Sequence, residues 1–213
     1  MDSAPKNESA PSLSGNLLLA SPALRDPNFS RCVVFMAAHN AKDGAFGYIL
    51  NRPLEQRVAD LLPDQDLGAL GEVPVFMGGP VATDKLAFAA LQWNKRRRTL
   101  RCQTHLSVAD ALHALSLGHE VRGFVGYSGW SGGQLENELE HRSWITTHAK
   151  PLVLTLEQPT QMWGAILADM GPVYKMIAGM PASQAAQDPA ADAADDQPRR
   201  AVAAAAIIAA VVS

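Results

Sequence analysis

The run Gly126-Tyr-Ser-Gly-Trp-Ser-Gly-Gly133 constrains this chain more than any other segment. It lies between an apolar stretch and an acidic helical pattern, so it has to turn a strand into a helix. Four glycines in eight residues permit positive φ and close backbone approach, which marks a constrained turn. A large aromatic seldom sits in such a turn without a surface to cover, so Trp130 requires one. The same residues include Gly129-Trp-Ser-Gly-Gly133, a formal match to the Gly-x-Ser-x-Gly elbow that carries a nucleophilic serine on a sharp strand-to-helix turn.

An elbow serine needs a general base, and in that fold the chain order is serine, acid, histidine. After Ser131 the only histidines are His141 and His148, both within 17 residues of it. The intervening acids, Glu136, Glu138 and Glu140, crowd onto the helix that directly follows the turn. Such a triad usually draws its histidine from a distant loop. A structural or ligand-contacting turn is therefore the leading reading, and a serine hydrolase using Ser131 is the alternative.

Punctuation along the rest of the chain gives its organisation. Residues 1–12 are polar and read as a disordered lead-in, 13–182 as the ordered domain, and 183–213 as a low-complexity, Ala-rich, disordered tail. Strands are expected at 17–20, 32–38, 45–50, 73–77, 86–92, 99–103, 121–127 and 151–156. Helices are expected at 57–62, 108–117, 134–141 and 160–170; Ser107 with Asp110 approximates a capping box and Gly118 a stop. Strands come in adjacent pairs early and alternate with helices later. That order predicts an α+β fold, a single compact domain on a mixed sheet flanked by helices.

Charge and composition exclude several classes. The net charge of −3 over 213 residues opposes non-specific attraction to DNA, RNA or anionic membranes. The apolar stretch 201–212 falls short of the roughly 20 residues that a membrane span needs, so no membrane partner is expected. Cys32 and Cys102, 70 positions apart, lack metal-type pairing and read as buried, reduced thiols. His105, His113, His119, His141 and His148 lack the spacing that sets two imidazoles on one helix face, so no metal is expected. Phosphate-binding glycine fingerprints are absent, and no cofactor is expected.

The candidate binding residues lie at strand ends. His39 and Asn40 close one predicted strand. At the corner Asn51-Arg52-Pro53, Asn51 could bond the local backbone while Arg52 projects a donor fork to an anion or partner. Gly78 and Gly79 could offer backbone N–H groups to an anion. Gly129 and Trp130 complete the set, and Trp130 could instead anchor a protein interface. The basic run Lys95, Arg96, Arg97, Arg98 reads as a solvated hairpin tip, with nucleic acid the weaker possibility.

These segments resemble the YqgE/AlgH family of small bacterial proteins. The resemblance rests on Gly15-Asn-Leu-Leu-Leu-Ala-Ser-Pro22, on Asp26-Pro-Asn-Phe29 with Arg31, Val33 and Val34, and on His39-Asn40. It continues through Gly44-Ala-Phe-Gly-Tyr-Ile-Leu-Asn-Arg-Pro-Leu54, Gly78-Gly-Pro-Val81 and Gly126-Tyr-Ser-Gly-Trp130 with Gly133-Gln-Leu-Glu136. It implies a compact cytosolic α+β domain whose mixed sheet is partly curled, and it implies little about activity. The family's usual label, transcriptional regulator, comes from a regulatory phenotype rather than from demonstrated chemistry. Ser131 stands where the family pattern usually has glycine, which counts against a catalytic serine. A histidine common a few residues after Gly-Gly-Pro-Val is missing, with Ala90 nearest its place. The expectation is a cytoplasmic, non-enzymatic binding or regulatory domain for an unknown small molecule or protein. Any role in gene expression would be exercised without a DNA-binding motif of its own.

Overall fold

Alternation along two central strands sets the architecture. In β1 (Asn16–Ala20), Leu17 and Leu19 face one way, while Leu18 and Ala20 face the other. In β2 (Val33–Asn40), Val33 and Phe35 join the first set, and Val34 and Met36 the second. Both faces are covered, so these strands read as unbroken apolar runs rather than as alternating ones. The computed structural model describes residues 11–180. The predicted tail and all but the last two residues of the predicted lead-in lie outside the described residues.

The remaining strands are β3 (Gly44–Ile49), β4 (Pro53–Arg57), β5 (Pro74–Met77), β6 (Val81–Asn94), β7 (Thr99–Leu106), β8 (Glu120–Trp130) and β9 (Trp144–His148). They form one mixed, unclosed sheet in the order β4-β5-β8-β3-β2-β1-β9, with β6 pairing β8 and β7 off this path. The β5–β8 pair is parallel and the others antiparallel. Among the described residues, six helices flank the sheet: α1 (Val58–Leu61), α2 (Val108–Ser116), α3 (Gln134–Glu140), α4 (Leu152–Thr155), α5 (Met162–Asp169) and α6 (Pro172–Ala178). The molecule is thus a single α+β domain on a mixed sheet, as the sequence predicts.

Three apolar clusters hold it together. Trp163, Ile166 and Leu167 of α5 cover the first face, and the Trp163 indole donates to the Ala20 carbonyl at 2.9 Å. Ala111 and Ala114 of α2 pack on Phe88, Val121 and Val75. Leu135 of α3 joins Trp130 and Trp144 over the remaining face. The predicted cap of α2 is present, with Ser107 accepting from the Asp110 N–H at 3.1 Å.

The long strand β8 is shared. Over its first part it pairs with β5 and β6, and from Ser128 to Trp130 with β3. Its change of partner follows Gly126 (φ 68°), which lies opposite the extra β6 residues 82–85 that make the register shift between Val81 and Leu86.

Several expectations need correction. Residues 151–156 are not the last strand: Pro151 sits at φ −54° and opens the single turn α4. A short apolar run cannot separate helix from strand by periodicity, and Val153 reaches the first core equally well from a turn. The true last strand, β9, carries Trp, Ile and two Thr and was legible as β-favouring sequence. Strand β4 and helix α6 also went unread. Pro-Leu-Glu-Gln-Arg lacks β-favouring residues, and Pro53 is tolerated because it opens an edge strand.

Candidate functional site

The glycine turn packs against the β2–β3 hairpin. A Cβ on Gly132 would collide with the Lys42 carbonyl, and one on Gly44 with the Trp130 carbonyl. The Gly133 N–H donates to the Ala41 carbonyl at 2.9 Å. Glycine is needed here because two backbones touch. Trp130 finds its surface in the core, where it is 6% exposed, stacked near Phe29 and edge-on to Trp144. One Glu138 oxygen accepts from the indoles of Trp130 at 2.9 Å and Trp144 at 2.7 Å, and the other accepts from Gln134. Trp130 is therefore a core residue, and its ring is not available to anchor an interface.

Ser131 has no base. Its hydroxyl and its N–H both point to the Gln134 side-chain oxygen, at 3.2 and 3.1 Å. His141 bonds the Asn137 carbonyl and His148 bonds Asn16. Nothing in this geometry supports the serine hydrolase alternative.

The structure divides the predicted binding residues between the two ends of β3. At one end Asn40 pairs with Gly44, His39 with Ala45, and Ala45 in turn with Trp130, so His39, Asn40, Gly129 and Trp130 lie together. At the other end, about 17 Å along the strand, Asn51 and Arg52 meet the loop before β2. Most of these side chains are engaged internally. His39 accepts from the Leu13 N–H at Nδ1, so its proton sits on Nε2, which faces Glu136 at 2.8 Å. Asn40 accepts from the Lys42 N–H. Asn51, 5% exposed, accepts from Val33 N–H at 2.8 Å and donates to the Arg31 carbonyl at 2.9 Å. The Arg52 fork donates to the carbonyls of Pro27 and Ser30. Gly78 and Gly79 lie between the two groups, pressed against β8: a Cβ on either would strike the backbone of Gly126 or Tyr127.

A cleft that sequence reasoning missed lies beside the first group. It holds about 610 Å³ between Asp43, Phe46, Val81, His105, Tyr127 and Gly129, with Trp130 also in its lining. Phe46 stands edge-on to Tyr127 (6.4 Å) and 5.7 Å from His105. Phe46 pairs with Gly129 and Tyr127 with Val81, so all four share one face of the curled sheet. The Tyr127 ring lies over Gly129, where a Cβ would come within 3.0 Å of it. His105 and Ala82, next to Val81, hold left-handed φ of 55° and 51°, uncommon for residues other than glycine. Among the described residues, the Asp43 carboxylate, the His105 imidazole and the Tyr127 hydroxyl have no hydrogen-bond partner. Tyr127 and Phe46 belong to segments already singled out, whereas His105 carries no local signal.

Sequence reasoning also missed Arg122, a charge inside the apolar run 121–127 and only 4% exposed. Its Nε donates to Glu120 at 2.6 Å, its terminal nitrogens reach the carbonyls of Leu50 and Val153, and its guanidinium lies 4.7 Å from the centre of the Phe76 ring. It ties β8 to Leu50, just past β3, and to α4. Burial pushes the thiols of Cys32 and Cys102 and the phenol of Tyr48 up to about 12. Both cysteines are unbridged; Cys32 is buried and Cys102 half-buried. Among the described residues, no group of three His, Cys, Asp or Glu is placed to hold a metal ion, and no helix is long and apolar enough to cross a membrane.

Lys95, Arg96, Arg97 and Arg98 sit exposed at the β6–β7 tip. The last β6–β8 pair is Leu91 with Glu120, so three further β6–β7 pairs carry this tip beyond β8.

Comparison with known proteins places the molecule among relatives. A family model described as AlgH-like matches residues 17–175. A UPF0301 protein of Chlorobaculum tepidum is 35% identical over 182 residues, covering 78% of this chain and 91% of the relative. One from Dechloromonas aromatica is 34% identical over 169 residues, covering 75% and 90%. The solution structure of AlgH from Pseudomonas aeruginosa aligns at a TM-score of 0.58 with 27% identity, over 85% of this chain and 98% of that one. A crystal structure of a Corynebacterium diphtheriae protein shares the fold at a TM-score of 0.58 and 18% identity, over 82% and 95%.

Proposed function

We propose a ligand-binding, non-catalytic role for this chain, which belongs to the AlgH-like family, and assign recognition to the cleft between β3, β8 and the β6–β7 ribbon. One observation carries the reading. Asp43, His105 and Tyr127 present unpartnered polar groups to an aromatic-walled cleft, while Ser131, Asn51, Arg52 and His39 are engaged by the protein itself. Binding sites combine apolar walls with a few convergent polar groups, and this cleft does so. Gly129 and Trp130 belong to its lining, and His39 and Asn40 pair with the lining residues Ala45 and Gly44. Regulation of gene expression, if exercised, would run through ligand or partner binding at this cleft. The unbridged thiols fit a reducing compartment such as the cytoplasm.

The test is a thermal-shift screen of the full chain against small organic molecules, nucleotides and phosphorylated metabolites. A ligand at 100 times its dissociation constant stabilises by about 2.7 kcal/mol. The shift is expected to vanish in His105→Ala and to weaken in Tyr127→Phe, while each free variant melts near the parent. Hits that bind both variants as they bind the parent would place recognition elsewhere.

A further inference from the structure

The charge of the cleft narrows its ligand. Among the described residues, Asp43 supplies the one formal charge in the lining beside the His105 imidazole, and neither Lys nor Arg lines it. An ionised carboxylate only accepts hydrogen bonds, so it calls for a donor. Phe46 and Tyr127 both line the cleft and meet edge-to-face, 89° apart with centroids 6.4 Å apart, so they form an aromatic corner. The negative face of such a ring attracts a cation, more so as water is excluded. Gly129 carries no side chain, which lets the Tyr127 ring lie against its backbone. An anion would meet a carboxylate with no side-chain cation to offset it.

We propose that the cleft selects an organic cation, an ammonium or amidinium group carried on a flat apolar body, with the charge at Asp43 and the body against Phe46 and Tyr127. This rests on the binding role assigned to the cleft above. It disfavours nucleotides and phosphorylated metabolites as occupants.

Three probes of one shape and different charge separate the possibilities: benzamidine, benzamide and benzoate. Each is titrated into the full chain at pH 8 in low salt, with backbone amide shifts followed by NMR. Benzamidine is expected to move the amides of residues 43–46, 105 and 127–130, and to bind more tightly than benzamide, with benzoate weakest. Asp43→Asn lies on an exposed turn and is expected to weaken benzamidine about fivefold, as for a partly solvated ion pair, while leaving benzamide unchanged. Equal binding of benzamide and benzamidine at these residues would overturn the charge selection and leave the cleft as a binding site. Absence of any cleft shift with all three probes would overturn the inference, and the variant screen above would then decide the cleft itself. Benzoate binding as tightly as benzamidine would overturn it outright.

Discussion

Cys32 shows how a single buried group shapes the response to pH. Its thiol is pushed from 9.0 to about 12 by desolvation, and Cys102 likewise. Tyr48 moves from 10.0 to about 12 for the same reason. In each case the folded state holds its proton where the unfolded chain would release it. The contribution of these groups to stability is therefore complete below pH 9 and declines as pH rises from there toward 12. Thermal melts between pH 8 and 10.5 are expected to show a falling midpoint above pH 9, with a shallower fall in Cys32→Ala. A flat profile would contradict the burial of these groups. At the same scale, Glu138 explains Trp130: two buried indole N–H groups need an acceptor, and one carboxylate oxygen serves both.

Among the elements, β8, which faces the β6 bulge at Gly126, is the most demanding. Gly126 holds φ 68°, and a Cβ there would meet the Val81 carbonyl at 2.8 Å and press on that of Gly79. Gly133 has a similar φ of 77° but nothing within 4 Å of its Cβ position. The pair separates conformational strain from collision. Gly133→Ala is expected to cost about 1 kcal/mol, the left-handed penalty alone. Gly126→Ala is expected to cost on the order of 1–3 kcal/mol more, because backbone must move. Urea denaturation of both variants measures the difference, and equal losses would mean that the bulge relaxes freely. The elements also show what was legible. Strands β1 and β2 could be read because both their faces are buried, and α2 because its cap is local. Strand β4 could not, being polar and tertiary in origin. The glycine turn was legible as a turn, since Gly126 and Gly132 answer to backbone contact and Gly133 to a left-handed φ. The cleft was not, because His105 arrives from β7 through a left-handed residue that no neighbouring sequence announces.

For the whole molecule, β8 matters because it has neighbours in every part of the sheet. It bonds β3, β5 and β6, and Arg122 joins it to α4. The edge strands β4, β7 and β9 each have one partner. Opening either part of the sheet therefore strips β8 of hydrogen bonds that the other part also uses. The consequence is cooperativity in time: β8 amides should exchange with deuterium only when the entire chain unfolds, from Val121 through Gly129. Edge strands should exchange through local opening of lower free energy. Native-state exchange at rising denaturant is expected to bring both ends of β8 onto one isotherm. Two separate isotherms would instead reveal two folding units meeting at Gly126. A sheet stitched by one strand has no half to lose, and a protease reaches β8 only when the whole sheet lets go.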